Sequence, residues 1–144
     1  MRLMFPEGED ILVVDDDASR RGMIEAILRD EGFPVTVASE GLSALRLIAQ
    51  HDFRMVIAAL HLPGSLDGPA TVRQARVRRP ALKALLVAEY GALPVWRSPA
   101  SADVVAVPFQ RWELLGCVFE LLHRDPAAKG TDLARRWRCA LAAS

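Results

Sequence analysis

The run Ile11-Leu12-Val13-Val14-Asp15-Asp16-Asp17 constrains the fold more than any other part of the sequence. Four apolar residues lead straight into three acids. A short unbroken apolar run suits a strand buried on both faces of a parallel sheet. The acids then fall at the strand's carboxyl end, where open α/β sheets keep their ligand sites. Carboxylates gathered there can hold a hard cation such as Mg²⁺. They can equally cap the next helix and otherwise face water, and the stretch alone leaves both readings open.

A chain of 144 residues is long enough for one domain with a core that needs no staples. Its 51% apolar and 25% charged residues are a globular composition. Eighteen basic residues balance 18 acidic ones, so net charge points to neither a nucleic-acid nor an acidic partner. Cys117 and Cys139 lack metal-ligand spacing and read as free thiols in a reducing compartment. No segment is apolar for long enough to span a membrane. The opening Met1-Arg2-Leu3-Met4-Phe5-Pro6 is too short an apolar run for a signal peptide. The expected location is the cytoplasm.

Strands and helices alternate along the chain. After a lead-in over 1–8 and a first strand at about 10–14, Ser19 can cap a helix with Met23, Ile24, Ile27 and Leu28 on one face. Gly32 suits its stop. Residues 34–38 read as a strand, and Ser39 can cap a helix lined by Leu42, Leu45, Ile48 and Ala49. Met55-Val56-Ile57-Ala58-Ala59 is wholly apolar and therefore central. Asp67-Gly68-Pro69 opens a third helix, which ends among Arg73, Arg76, Arg78 and Arg79. Strands at 82–88 and 104–107 and a helix at about 110–123 follow. Such alternation over five strands, with right-handed crossovers, predicts a doubly wound, five-stranded parallel sheet of order 2-1-3-4-5, an α/β fold. Strands one and three then lie side by side.

On these residues the chain resembles the receiver domain of bacterial two-component response regulators. Residues 11–17 match the family's first strand and acidic pair. His61-Leu62-Pro63-Gly64-Ser65-Leu66-Asp67-Gly68 matches its loop after strand three. Leu86-Val87-Ala88-Glu89-Tyr90-Gly91 is similar to the end of its strand four, and Val107-Pro108-Phe109 stands where the family has Lys-Pro-Phe. The match covers about 9–124. It implies a site in which Mg²⁺ on Asp15 and Asp16 assists transfer of a phosphoryl group from a kinase histidine to an aspartate. It also implies a cis Val107–Pro108 bond.

The chain departs from that pattern where the chemistry would be carried. The acceptor aspartate should stand four residues before Pro63, at Ala59. The Thr or Ser should stand at Ala88, and the Lys at Val107. The aromatic that moves on phosphorylation should stand at Val104. A methyl group cannot attack phosphorus or ligate a metal, and valine cannot neutralise charge. Mg²⁺ on Asp15 and Asp16, with the His61 carbonyl as a further oxygen, is then expected to be weak or vestigial, and no other cofactor is expected. The expected function is that of a pseudo-receiver in phosphorelay signalling, not an enzyme, which acts by protein–protein interaction. The alternatives are a receiver phosphorylated at another acid, Asp67 being the nearest, and a nucleic-acid-binding regulator. His51 and His61 have no ligand partner at a recognisable spacing.

Two stretches could carry contacts. Pro94 and Pro99 argue against a full helix where the family has its fourth, and Val95, Trp96 and Arg97 have the composition of an interface anchor. Trp96 could equally fold back over the core. Residues 125–144 read as a linker and an amphipathic helix with Leu133, Ala134, Trp137, Ala140 and Leu141 on one side and Arg135, Arg136 and Arg138 elsewhere. So short a helix must dock, on its own domain, on a partner or on a second copy in a homodimer. Three arginines without a recognition fold are weak support for nucleic acid.

Overall fold

A computed structural model describes residues 10–89 and 102–123 of the chain. In order these form β1 (Ile11–Val14), α1 (Ala18–Asp30), β2 (Val35–Ala38), α2 (Gly41–Gln50), β3 (Met55–Ala59), α3 (Gly68–Arg78), β4 (Lys83–Glu89), β5 (Ala102–Val107) and α4 (Arg111–His123). All strand pairings are parallel and the sheet order is β2-β1-β3-β4-β5. The expected architecture is therefore present. The connection between β4 and β5, with Val95, Trp96 and Arg97, lies outside the described residues, as do the lead-in and the tail with Arg135, Arg136 and Trp137.

The core has two layers because strand side chains alternate between faces. Leu12, Val14, Val56, Ala58 and Leu86 pack against Ala44 and Ile48 of α2 and Val72 and Ala75 of α3. Ile11, Val13, Ile57 and Leu85 pack against Ile24 and Leu28 of α1 and Leu114, Val118 and Leu121 of α4. Phe33 and Phe119 meet at 5.8 Å at the lower end of the second layer. Arg111 reaches both Asp30 (3.5 Å) and Glu31 (3.1 Å), tying α4 to the end of α1.

Local details differ from expectation at the helix starts. Asp17, not Ser19, caps α1 by accepting the Arg20 amide (3.1 Å), so Ser19 lies in the first turn. Glu40, not Ser39, occupies the N-cap of α2 and makes no side-chain cap bond. There the helix start is fixed by packing, since a Cβ on Gly41 would stand 2.4 Å from the Thr71 hydroxyl. That placement sets Gly41 against Leu66 and Thr71, turns Ala44 and Ile48 into the core, and leaves Leu42 48% exposed. Other expectations hold. Gly32 takes the left-handed conformation (φ 94°) after α1. Asp67 caps α3 through the Ala70 amide (2.9 Å), with Pro69 in the first turn. The Val107–Pro108 bond is cis.

Candidate functional site

The carboxyl ends of β1, β3, β4 and β5 meet at one edge of the sheet, and the register decides which residues share it. Val14 pairs with Ala58, so Asp15 leaves β1 level with Ala59, the last residue of β3. Ala59 pairs with Val87, Ala88 with Ala106, and Glu89 with Val107. The structure thus brings Asp15, Ala59, Ala88 and Val107 to the same end. Ala59 and Ala88 are buried there, and Val107 is half-buried.

Asp15 is 1% exposed, and a carboxylate so deep needs a partner. Arg20 supplies it with both arms: Nε donates to Oδ2 at 2.5 Å and Nη2 to Oδ1 at 2.8 Å. The Asp17 amide adds a third bond to Oδ1 (2.9 Å), and Arg21 Nη1 holds the Asp15 carbonyl (2.7 Å). The chain reaches this arrangement through the cap. Asp17 starts α1 immediately after the acidic run, which places Arg20 in the first turn, folded back over the end of β1. A bidentate guanidinium–carboxylate pair is the strong, geometrically defined form of a charge-assisted bond. The Asp15 hydrogen bonds raise the Arg20 pKa above its ordinary value, against the opposing effect of burial. The Arg20 amide in turn holds the Asp17 carboxyl below its ordinary range.

The remaining candidates are not hydrogen-bonded to this pair. Asp16 is exposed. His61 is exposed on the loop after β3, and His51 stacks edge-on against Phe53 with centroids 6.0 Å apart. Asp67 is committed to its cap. Beside the pair an open cleft of 660 Å³ has Ser19, Arg20 and Met23 on one wall and Glu89, Val107 and Phe109 on the other. Glu89 lies exposed on its rim.

These residues do not fit a resident divalent cation. Mg²⁺ needs near-octahedral oxygen ligation, yet Ala59 offers no side-chain oxygen and both oxygens of Asp15 already face a guanidinium. Among the described residues no three His, Cys, Asp or Glu side chains gather as a cation cage. An arginine therefore stands where the resemblance puts a metal. Sequence reasoning passed over Arg20, although its signal was available: a cation five residues beyond Asp15, one turn into the following helix. It also passed over Trp112, 63% exposed at the start of α4.

Comparison with known proteins agrees with the fold. Over 90 residues the chain is 33% identical to the transcriptional regulatory protein ZraR of Escherichia coli K12, an alignment covering 62% of this chain and 20% of ZraR. The chain thus spans about a fifth of the length of the curated relatives it matches. The crystal structure of the receiver domain of NtrX from Brucella abortus superposes with a TM-score of 0.73 at 29% identity, covering 81% of this chain and 100% of that one. The receiver domain of the sensor histidine kinase PA1611 from Pseudomonas aeruginosa, solved with magnesium in its active-site cleft, gives 0.70 at 25% identity, covering 81% and 99%. Residues 11–107 match the profile of the response regulator receiver domain. The sheet order, the acidic end of β1 and these matches converge, and the chain belongs to the response regulator receiver domain family.

Proposed function

We propose that this receiver acts in two-component signalling as a pseudo-receiver, through protein contact and without phosphorylation of an aspartate. As a receiver domain it is a signalling module and not an enzyme. The observation that carries the proposal is the pairing of Asp15 with Arg20 beside Ala59. Phosphoryl transfer needs a nucleophile, a cation on the acidic pair, and groups that neutralise the charge gathering on the phosphoryl oxygens. Ala59, Ala88 and Val107 supply neither nucleophile nor charge, and the acid that would hold the cation already has one covalently attached to the chain. The relative solved with magnesium in its cleft marks the other way of balancing that acid. In this reading the domain keeps one conformational state and presents a constant surface to its partner. The cytoplasm is the expected place of action, and among the described residues no helix is long and apolar enough to cross a membrane. Val95, Trp96 and Arg97, and Arg135, Arg136 and Trp137, remain proposed contact residues for a protein partner or a second copy.

The test is intact mass after incubation with a small-molecule phosphodonor and Mg²⁺, with a phosphorylatable receiver alongside. The expected result is an unchanged mass for this chain and a phosphoryl adduct on the control. A stable adduct on any carboxylate of this chain overturns the proposal.

A further inference from the structure

The face made by α2 and α3 carries apolar and basic side chains that the core does not use. Leu42 is 48% exposed and Val77 78% exposed. Both line a groove of 370 Å³ between the two helices, whose floor includes Leu45, Ile48 and Ala75 and whose edges carry Arg46 and Arg78. Neither helix contains an acidic residue, while together they carry Arg46, Arg73, Arg76 and Arg78. Arg76 is turned inward onto the Leu82 carbonyl (2.8 Å), and Arg79, just past α3, binds Asp52 and the His51 carbonyl. Arg46, Arg73 and Arg78 are exposed, and among the described residues no carboxylate pairs with them. The chain as a whole is neutral, so this is a local excess of positive charge.

Solvation alone accounts for part of it. Arg78 at the end of α3 complements the helix dipole. Arg46 in the middle of α2 and Arg73 one turn before Val77 have no such reason, and neither does Val77 itself. Two packed helices present a groove that accepts a third, with apolar anchors at helical spacing in the groove and charges along the edges. We propose that the α2–α3 groove docks an amphipathic helix of a partner protein, its apolar face on Leu42 and Val77 and its acidic flanks against Arg46 and Arg78. Other occupants fit less well. A second copy of this face would set arginine against arginine in an isologous contact. Residues 131–141 bring Arg135, Arg136 and Arg138 against a single acid, Asp132, and meet the same repulsion. Nucleic acid would meet an apolar floor with no aromatic side chain for base stacking. The proposal is independent of whether the acidic end of β1 accepts phosphate, so the two can fail separately.

The test uses the full chain and defined probes in titrations followed by fluorescence and by amide chemical shifts. The probes are an 18-residue helical peptide with leucine at i, i+4, i+7 and glutamate on its flanks, the same peptide with lysine for glutamate, a short DNA duplex, and vesicles containing anionic lipid. The acidic peptide should bind, weaken with added salt, and shift amides of α2 and α3. Arg46→Glu, Arg78→Glu and Val77→Ser should each weaken it by about tenfold. These positions are exposed, so melting curves should match the wild type. No binding of the acidic peptide, equal binding of the lysine peptide, variants that bind as the wild type does, or preferential binding of DNA or vesicles would each overturn the proposal.

Discussion

Replacing Arg20 by alanine tests the link between the acidic end of β1 and the stability of the domain. In the wild type the Asp15 carboxylate is 1% exposed and takes two bonds from Arg20, whose side chain is 24% exposed. Removing one member of a fully buried pair costs about 3–5 kcal/mol, because the other charge is stranded. Two features lower that figure here. Arg20 sits partly in water, and Asp15 keeps the Asp17 amide at 2.9 Å. A loss of about 2–3 kcal/mol follows. For a domain of this size that is a fall in Tm of roughly 8–12 °C. The variant also removes the guanidinium from both oxygens of Asp15 beside Asp16, leaving only the Asp17 amide on Oδ1, so Mg²⁺ should recover part of the loss. An ion present at ten times its dissociation constant returns about 1.4 kcal/mol. Thermal melts of wild type, Arg20→Ala and Arg20→Lys, each with and without MgCl₂, make the assay. The expected order is wild type, then lysine, which offers a point charge in place of a planar fork, then alanine, with a Mg²⁺ response in the alanine variant alone. An alanine variant as stable as the wild type refutes the pairing. A wild type that itself gains stability from Mg²⁺ refutes the claim that arginine fills the cation's role.

Two further outcomes follow from the backbone and the caps. A Cβ on Gly68 would stand 2.2 Å from the Ala59 carbonyl oxygen, so Gly68→Ala should destabilise by about 1–3 kcal/mol in urea unfolding, whereas Gly22→Ala, on open helix surface, should stabilise by about 0.4–1 kcal/mol; similar midpoints for the two would contradict the close approach. The Asp17 carboxyl is held below its ordinary value of 3.8, chiefly by the Arg20 amide. A depressed folded-state value means the cap's charge contributes fully above the unfolded value and is lost as pH falls through the folded one. Asp17→Asn should therefore flatten the acid-side fall in the urea midpoint below about pH 4, and an unchanged slope would remove Asp17 from that fall.

The sheet was legible because its signals are local and repeated. Wholly apolar β1 and β3 flanked by turn residues leave little choice beyond a buried parallel sheet, and alternation with right-handed crossovers then set the strand order, while the resemblance singled out Ala59, Ala88 and Val107. What periodicity missed were choices made by tertiary packing. Leu42 belongs to a good amphipathic stripe, yet Gly41 must fit against Leu66 and Thr71, and that contact rotates α2 so that Leu42 faces outward. Arg20 was missed for a related reason. A cation in a helix's first turn runs against the dipole and reads as solvated; only the depth of Asp15 explains its placement.

In a sheet wound in both directions, successive crossovers leave to opposite sides on either side of β1 and β3, and a notch opens above their ends whatever residues line it. Topology makes that hollow, so replacing its reactive groups does not close it. The end of β1 delivers a buried acid to its edge, and the fold must balance that charge whatever the site does. Here a side chain from the adjoining helix, Arg20, balances that acid and lines the hollow without filling it.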